Sequence, residues 1–306
     1  MELRTRETAK PKFRIKDYFK EAKDKIQGHL LMARPYSWMD YPATVLLAKV
    51  QATRSLELGA VDGAAIVSTL LLWASLCWRL EAEHKHTFRP RIEKKTAQGA
   101  FIGATVIGAI INPVSIIPAG VQYGTSVLYS KKEGENKFLN ATSFLMRGIG
   151  HGAVYLFSTL FYSSITLTNI ITGLSLGAIC ASRNLIGDLR DMKYDEKTFP
   201  KMFGEKTAKI VASGLKVGAV VGLYLVTGSI LVGLPLLVEA GIALVYTNKQ
   251  QLHRISGVGT VATIANAILA TMGMFDAILI SNLVYAASAV NIIFYNSIER
   301  RSNKDC

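Results

Sequence analysis

Apolar residues gather into windows of membrane length, and the polar residues fall between them. Windows at about 61–80, 98–113, 114–130, 138–160, 162–181, 207–227, 229–247, 255–273 and 276–295 are each near the length that carries a helix across a bilayer. A further stretch, residues 41–60, is more polar but long enough. Small residues recur inside the windows, as at Gly148, Gly150 and Gly152 and at Gly218, Gly222 and Gly228, where they let helices approach closely in lipid. The pattern predicts an all-α fold, a polytopic transmembrane helical bundle of nine or ten spans. No Pro/Ser-rich linker interrupts it, so the chain divides into an arm, 1–32, and one membrane domain, 33–306.

Charge changes this picture only in where it sits. With 50% of the 306 residues hydrophobic and 19% charged, the charges must be segregated. A net charge of +13 in a soluble chain would suggest nucleic acid, but here topology explains it and no nucleic-acid partner is expected. Lys131, Lys132 and Lys137, the segment 183–206, Lys249 and Arg254, and Arg300, Arg301 and Lys304 all follow even-numbered spans. The positive-inside rule then places these connections and both termini in the cytoplasm. In the arm, Lys10, Lys12, Arg14, Lys16, Lys20, Lys23 and Lys25 surround Ile15, Phe19, Ala22, Ile26 and Leu30, a spacing that predicts an amphipathic helix on an anionic bilayer surface. The arm lacks the apolar core and cleavage site of a secretory signal. Cys77, Cys180 and Cys306 suggest neither a disulfide framework nor a thiolate metal site.

The densest candidate chemistry is the run from Asp188 through Asp191 to Asp195, at i, i+3 and i+7 just beyond an apolar window. On a helix that spacing puts three carboxylates on one face. Massed carboxylates repel one another, and a hard cation such as Mg²⁺, which ordinarily also holds substrate phosphates, relieves that repulsion. A solvated loop balanced by Arg190, Lys193 and Lys197 is the alternative reading of the spacing. The wider stretch from Ala181 to Gly204, with Arg183, Asn184, the three aspartates and a trailing Lys197-Thr198-Phe-Pro-Lys-Met-Phe-Gly204, resembles the second aspartate-rich motif of the UbiA superfamily of intramembrane prenyltransferases. It lacks about four residues of that motif between Asp195 and Lys197. Ala33-Arg34-Pro35-Tyr-Ser-Trp38 is similar to the family's entry to its first span, and Tyr129-Ser130-Lys131-Lys132 to a later connection, so the resemblance covers roughly residues 33–250.

The resemblance implies a bundle with a central cavity opening to the cytoplasm, two polar caps over it, and Mg²⁺ ions that hold a polyprenyl diphosphate. It implies Asp188, Asp191 and Asp195 as catalytic metal ligands, with Arg183, Asn184 and Lys197 beside the substrate. The family's first cap carries Asn-Asp-x-x-Asp-x-x-x-Asp, and this chain departs from it. Ser75, Leu76 and Arg79 stand where the asparagine and first acids would be, and Glu83 alone stays in register. Arg79 could contact phosphate directly through its guanidinium fork, alongside His84, Lys85, His86, Arg89 and Arg91, or the cap could have lost that role.

Ionisable residues inside spans are costly and are candidates by default. Lys49 lies mid-span, Arg54 near an outer end, and Arg147 and His151 share a helix face about two turns inside the bilayer. Arg147 could meet a diphosphate below the caps, or could serve packing alone. Asn112-Pro113 and Asn169 read as kink or packing residues, and Tyr123 and Tyr129 as interface anchors. The resulting expectation is Mg²⁺-dependent transfer of a polyprenyl group from its diphosphate to a lipophilic or phosphorylated acceptor in the lipid bilayer. The alternative is a non-catalytic protein that binds an isoprenoid or lipid phosphate. An ion-coupled transporter fits less well, because the charges gather at one face rather than at the midplane.

Overall fold

The computed structural model describes residues 39–83, 94–131, 136–193 and 197–302. The basic arm, Arg34-Pro35, His84 through Arg91, Lys132, Asp195 and Cys306 lie outside the described residues. The described chain is helical throughout: α1 (Asp40–Thr53), α2 (Ala60–Glu83), α3 (Lys94–Ile111), α4 (Ile116–Ser130), α5 (Lys137–Thr159), α6 (Leu167–Asp191), a short α7 (Phe199–Phe203), α8 (Glu205–Thr227), α9 (Leu234–Val245), α10 (Lys249–Thr271) and α11 (Phe275–Ser302).

Helix ends fall where local chemistry stops the ladder. Pro113 removes a backbone donor, and Asn112 caps the following 3₁₀ turn by accepting from the Val114 N–H at 3.1 Å while its amide donates to Leu160 O at 3.2 Å. Thr166 and Asn169 form a capping box at the start of α6. Asn112 and Asn169 are therefore structural, as expected. Gly228 ends α8 at φ 69°, a conformation that favours glycine. The first window behaves differently from its length, because α1 stops at Thr53 and Arg54 turns left-handed at φ 56°. The Arg54 guanidinium then binds Thr271 O at the end of α10, so that residue closes a helix end.

Helices occupy all ten predicted windows. Among the described residues four are long and apolar enough to cross a membrane by length and composition: Ala60–Leu80, Leu167–Asp191, Glu205–Thr227 and Phe275–Phe294. Others are shorter or more polar and lie against these. The outer faces expose side chains such as Ile110, Leu225 and Leu283, which marks an integral membrane protein whose outside faces lipid.

The two largest of the four apolar clusters among the described residues divide the bundle. One joins α2 to α5 through Leu72, Leu76, Ala104, Val154 and Phe157; the other joins α6 to α11 through Leu176, Ile179, Leu223, Leu236, Ile264 and Ile278. Helix α1 belongs to both, giving Tyr41 and Val45 to the first and Leu47 and Ala48 to the second. The halves meet along α5 and α6, where a Cβ at Gly148 would stand 2.6 Å from Gly177 O and one at Gly152 would stand 2.7 Å from Gly173 O. Glycine on both helices is what permits that approach. Gly222 likewise abuts Ser175, whereas Gly218 faces open space and plays no such part.

Candidate functional site

Helix α6 does not end with its apolar window. It runs on as one helix through Arg183, Asn184, Asp188 and Asp191, so the first two aspartates share a helix face as their spacing predicts. Asp188 is buried at 4% exposure. Asp191 is half-exposed and accepts a two-pronged bond from its neighbour, Arg190 Nε to Oδ1 at 2.7 Å and Nη2 to Oδ2 at 2.5 Å. Arg190 in turn lies 3.2 Å from His253 Nδ1 on α10. The donor set, carboxylate oxygens one helical turn apart, suits a hard divalent cation. Among the described residues no group of three His, Cys, Asp or Glu side chains could hold a metal ion, and the third aspartate, Asp195, lies outside them. Lys197 is exposed just ahead of α7.

About one turn before Asp188, the chain is tied into the rest of the bundle. Arg183 pairs with Asp40 in the first turn of α1. Asn184 Oδ1 accepts from the Tyr129 hydroxyl at 2.9 Å. The Tyr129 ring also faces Arg147, whose guanidinium lies 5.9 Å from its centroid and 4.5 Å from that of Trp73. None of the ion pairs among the described residues includes Arg147. A guanidinium held on aromatic faces and left without a carboxylate keeps N–H donors for another anion. Arg147 lines a cavity of about 10 Å³ with Tyr41, Gln122 and Tyr129, and Gln122 Oε1 there is buried without a partner. So is His151 Nδ1, one turn beyond Arg147 on α5, with its ring edge-on to Tyr41 at 5.2 Å. Buried polar atoms of this kind mark places where water or a ligand completes the bonding.

The end of α2 is built of different material. Arg79 Nη1 donates to the Tyr123 hydroxyl at 3.0 Å, and its Nη2 lies 3.7 Å from Glu83 Oε1. Lys94, which opens α3, takes the same Glu83 oxygen at 2.8 Å. That hydrogen bond, with the nearby Arg79, holds the Glu83 carboxyl below its ordinary range. Tyr123 is stacked on Phe101 at 4.2 Å. Tyr123 and Tyr129 are thus not the interface anchors expected of them, because their hydroxyls are satisfied inside the bundle by Arg79 and Asn184. Gln122, Thr125, Ser126 and Tyr129 form a polar stripe at i, i+3, i+4 and i+7 in an apolar window, a signal that marks an inward face.

The structure brings Arg147, Asn184 and Arg183 to one end of the bundle, with Asp188 and Asp191 on the next turns of α6. It does not bring Lys49 there. Lys49 Nζ is buried 2.7 Å from Asp62 Oδ2, and Asp62 also accepts from Tyr162 OH at 2.9 Å and Gly59 N at 2.6 Å. Nine residues of α1 separate Lys49 from Asp40, about 13 Å along a helix. Lys49 neutralises a neighbouring carboxylate at the far end.

No family model matches the sequence, and no curated protein matches it. Solved structures do. A digeranylgeranylglyceryl phosphate synthase aligns over 81% of this chain and 97% of its own at 17% identity, with a TM-score of 0.59. The chain has the UbiA fold. A UbiA homologue from Archaeoglobus fulgidus, bound to GPP and Mg²⁺, aligns over 80% of this chain and 99% of its own at 11% identity and a TM-score of 0.58. Another from Aeropyrum pernix K1 covers 81% and 97% at 12% identity and 0.53. At such identities the likeness lies in the course of the helices, and the UbiA fold here spans nearly the full length of those chains.

Proposed function

We propose that this protein is an intramembrane prenyltransferase that moves a polyprenyl group from its diphosphate to a lipophilic or phosphorylated acceptor. The observation that carries the reading is the Tyr129 link. It joins Arg147, a partly buried cation without a carboxylate, to Asn184, one turn before Asp188. Arg147 and Arg79 bind the diphosphate through charge-assisted bonds, Arg183 and Asn184 position it, and Lys197 adds positive charge from the α7 side. Mg²⁺, which the GPP-bound homologue carries, would be held by Asp188, Asp191 and Asp195 and would supply charge neutralisation on the departing diphosphate. The allylic C–O bond breaks with its electron pair leaving on the diphosphate, the acceptor's nucleophilic atom bonds to the allylic carbon, and the acceptor's proton passes to solvent. The apolar interior accommodates the chain and excludes water that would capture the cation.

A second reading, a non-catalytic binder of an isoprenoid or lipid phosphate, draws on the end of α2. There Glu83 is already engaged by Lys94 and Arg79. Incubating the purified protein with a labelled prenyl diphosphate, Mg²⁺ and a panel of acceptors separates the two. Transfer to any acceptor supports the first, and saturable binding without turnover supports the second. Both termini and both caps are proposed to face the cytoplasm. A reporter fused after Cys306 checks this, and a reading on the opposite side would call for nine spans instead of ten.

A further inference from the structure

Lys216 on α8 and Glu239 on α9 form a completely buried pair, 2.5 Å apart, that joins two helices, as Lys49 and Asp62 join α1 to α2. Pairs of this kind hold elements together, and burial makes either partner costly to lose. Arg190 and Asp191 differ on both counts. They are neighbours on α6, at 32% and 35% exposure, so their contact joins no two elements and little desolvation holds it. Successive side chains on a helix point about 100° apart, yet these two are turned toward one another.

The contact covers Asp191. Arg190 Nε donates to Oδ1 at 2.7 Å and Nη2 to Oδ2 at 2.5 Å, which engages both oxygens through which Asp191 would bind a divalent cation. Arg190 Nη1 lies 3.2 Å from His253 Nδ1 on α10. A guanidinium only donates, so Nδ1 accepts and the ring proton sits on Nε2. The His253 ring lies against α6 at Gly187, 3.7 Å from where a Cβ would stand and one turn before Asp191. His253 therefore gives the guanidinium a foothold that does not depend on Asp191.

A guanidinium and a divalent cation repel one another, and one carboxylate serves both only when further negative charge is at hand. A diphosphate supplies that charge, and its oxygens match the guanidinium fork as a carboxylate's do. We propose that Arg190 is a resident counter-ion that holds Asp191 until metal and diphosphate arrive together, and then, anchored by His253, turns its fork from Asp191 to the diphosphate. This rests on the prenyl-transfer reading of the α6 end and adds to it a residue and an order of binding. A divalent cation alone meets a carboxylate that is already paired, and the diphosphate releases it.

The probe is Mn²⁺, which takes the same oxygen ligands as Mg²⁺, titrated into the full chain in detergent with no diphosphate present and followed by electron paramagnetic resonance. Arg190→Gln should bind it about threefold to tenfold more tightly than wild type, the scale of one half-exposed charge acting on a divalent ion. Arg190→Lys, which keeps the charge, should stay near wild type. A merely structural Arg190 would move the affinity the other way, since a loosened helix end holds a metal less well. At saturating Mg²⁺, Arg190→Gln should bind labelled geranyl thiolodiphosphate, an analogue that does not turn over, about tenfold more weakly, for want of one charge-assisted contact. Unchanged analogue affinity would overturn the transfer of the fork to the diphosphate. Mn²⁺ binding that is unchanged or weaker in Arg190→Gln overturns the counter-ion role and leaves the metal site standing, whereas Mn²⁺ bound by neither wild type nor variant overturns the metal reading of the α6 end together with it.

Discussion

The bundle ends α2 and α6 with helices of almost equal length, 24 and 25 residues, but finishes them with opposite charge logic. At the end of α6 the carboxylates Asp188 and Asp191 lead, and the cation nearest Asp191 is its own neighbour Arg190. At the end of α2 the cations lead: Arg79 and Lys94 both close on the single carboxylate of Glu83. On the proposed reading, the α6 end would gather a metal ion. The other brings its positive charge in covalent form, as guanidinium and ammonium groups that need no ion to meet a phosphate. A site built from both would hold a diphosphate between a metal-dependent half and a metal-independent half.

The largest effect is expected from the metal-dependent half. Asp188→Asn keeps the size of a buried side chain and removes its charge, so Mg²⁺-dependent binding of a prenyl diphosphate analogue should fall about a hundredfold or more, beyond the scale of losing a supporting residue around a metal. Calorimetric titration with and without Mg²⁺ measures it. If affinity and metal dependence stay as in wild type, the two ends do not differ in their need for a metal ion. Asp191→Ala should act in the same direction, with a further sign that the helix end remains folded: Arg190, released from Asp191, still has His253 within reach.

Arg147 sits between the two ends and tests whether they serve one ligand. Arg147→Met preserves much of the apolar contact with Trp73 and Tyr129 while removing the guanidinium. A charged hydrogen-bonded contact is worth about 1.5–3 kcal/mol, so diphosphate affinity should drop ~10-fold or more whether or not Mg²⁺ is present. Arg79→Ala should cost about tenfold on the same grounds, and the loss should persist without metal, which separates it from the aspartate variants. Normal binding by Arg79→Ala would make the α2 end structural and favour the non-catalytic reading. A count of Mg²⁺ bound per protein sharpens the point, with fewer than two ions expected.

How far the sequence revealed this site depended on how near in the chain the partners lie. The α6 end was legible because Arg183, Asn184, Asp188 and Asp191 fall within three turns of one helix, where spacing alone decides which side chains share a face. Arg147 was legible as a charge in an apolar window. Asp40, which pairs with Arg183 across 143 residues, was not, because nothing local distinguishes it from any acid at a helix start. Lys49 shows the converse: a mid-span charge suggested substrate, and Asp62, 13 residues on, satisfies it. Lys216 and Glu239 stand in successive apolar windows, 23 residues apart and of opposite sign, a pattern that could have been read as a buried pair and was not. Tyr129 was misassigned because an aromatic near a span end matches both an interface anchor and an inward hydrogen-bonding residue, and only the stripe with Gln122, Thr125 and Ser126 separates them.

The smallest effect concerns what holds the α2 end together. The Lys94 hydrogen bond lowers the Glu83 pKa from its ordinary 4.5, so the unfolded chain takes up this proton at a higher pH than the folded one. The stabilisation is therefore fully present above pH 4.5 and is lost as pH falls through the folded-state value below it. Lys94 is 55% exposed and Glu83 24%, so solvent screens the pair and its contribution should be only ~0.2–1 kcal/mol. Lys94→Met should lower thermal stability slightly at neutral pH, and the difference from wild type should shrink as the medium is acidified below about pH 4. Added salt should shrink it as well. A difference that persists unchanged at low pH would mean that the Lys94 side chain stabilises the α2 and α3 junction by packing, and that the charge pairing which distinguishes this end from α6 contributes nothing measurable there.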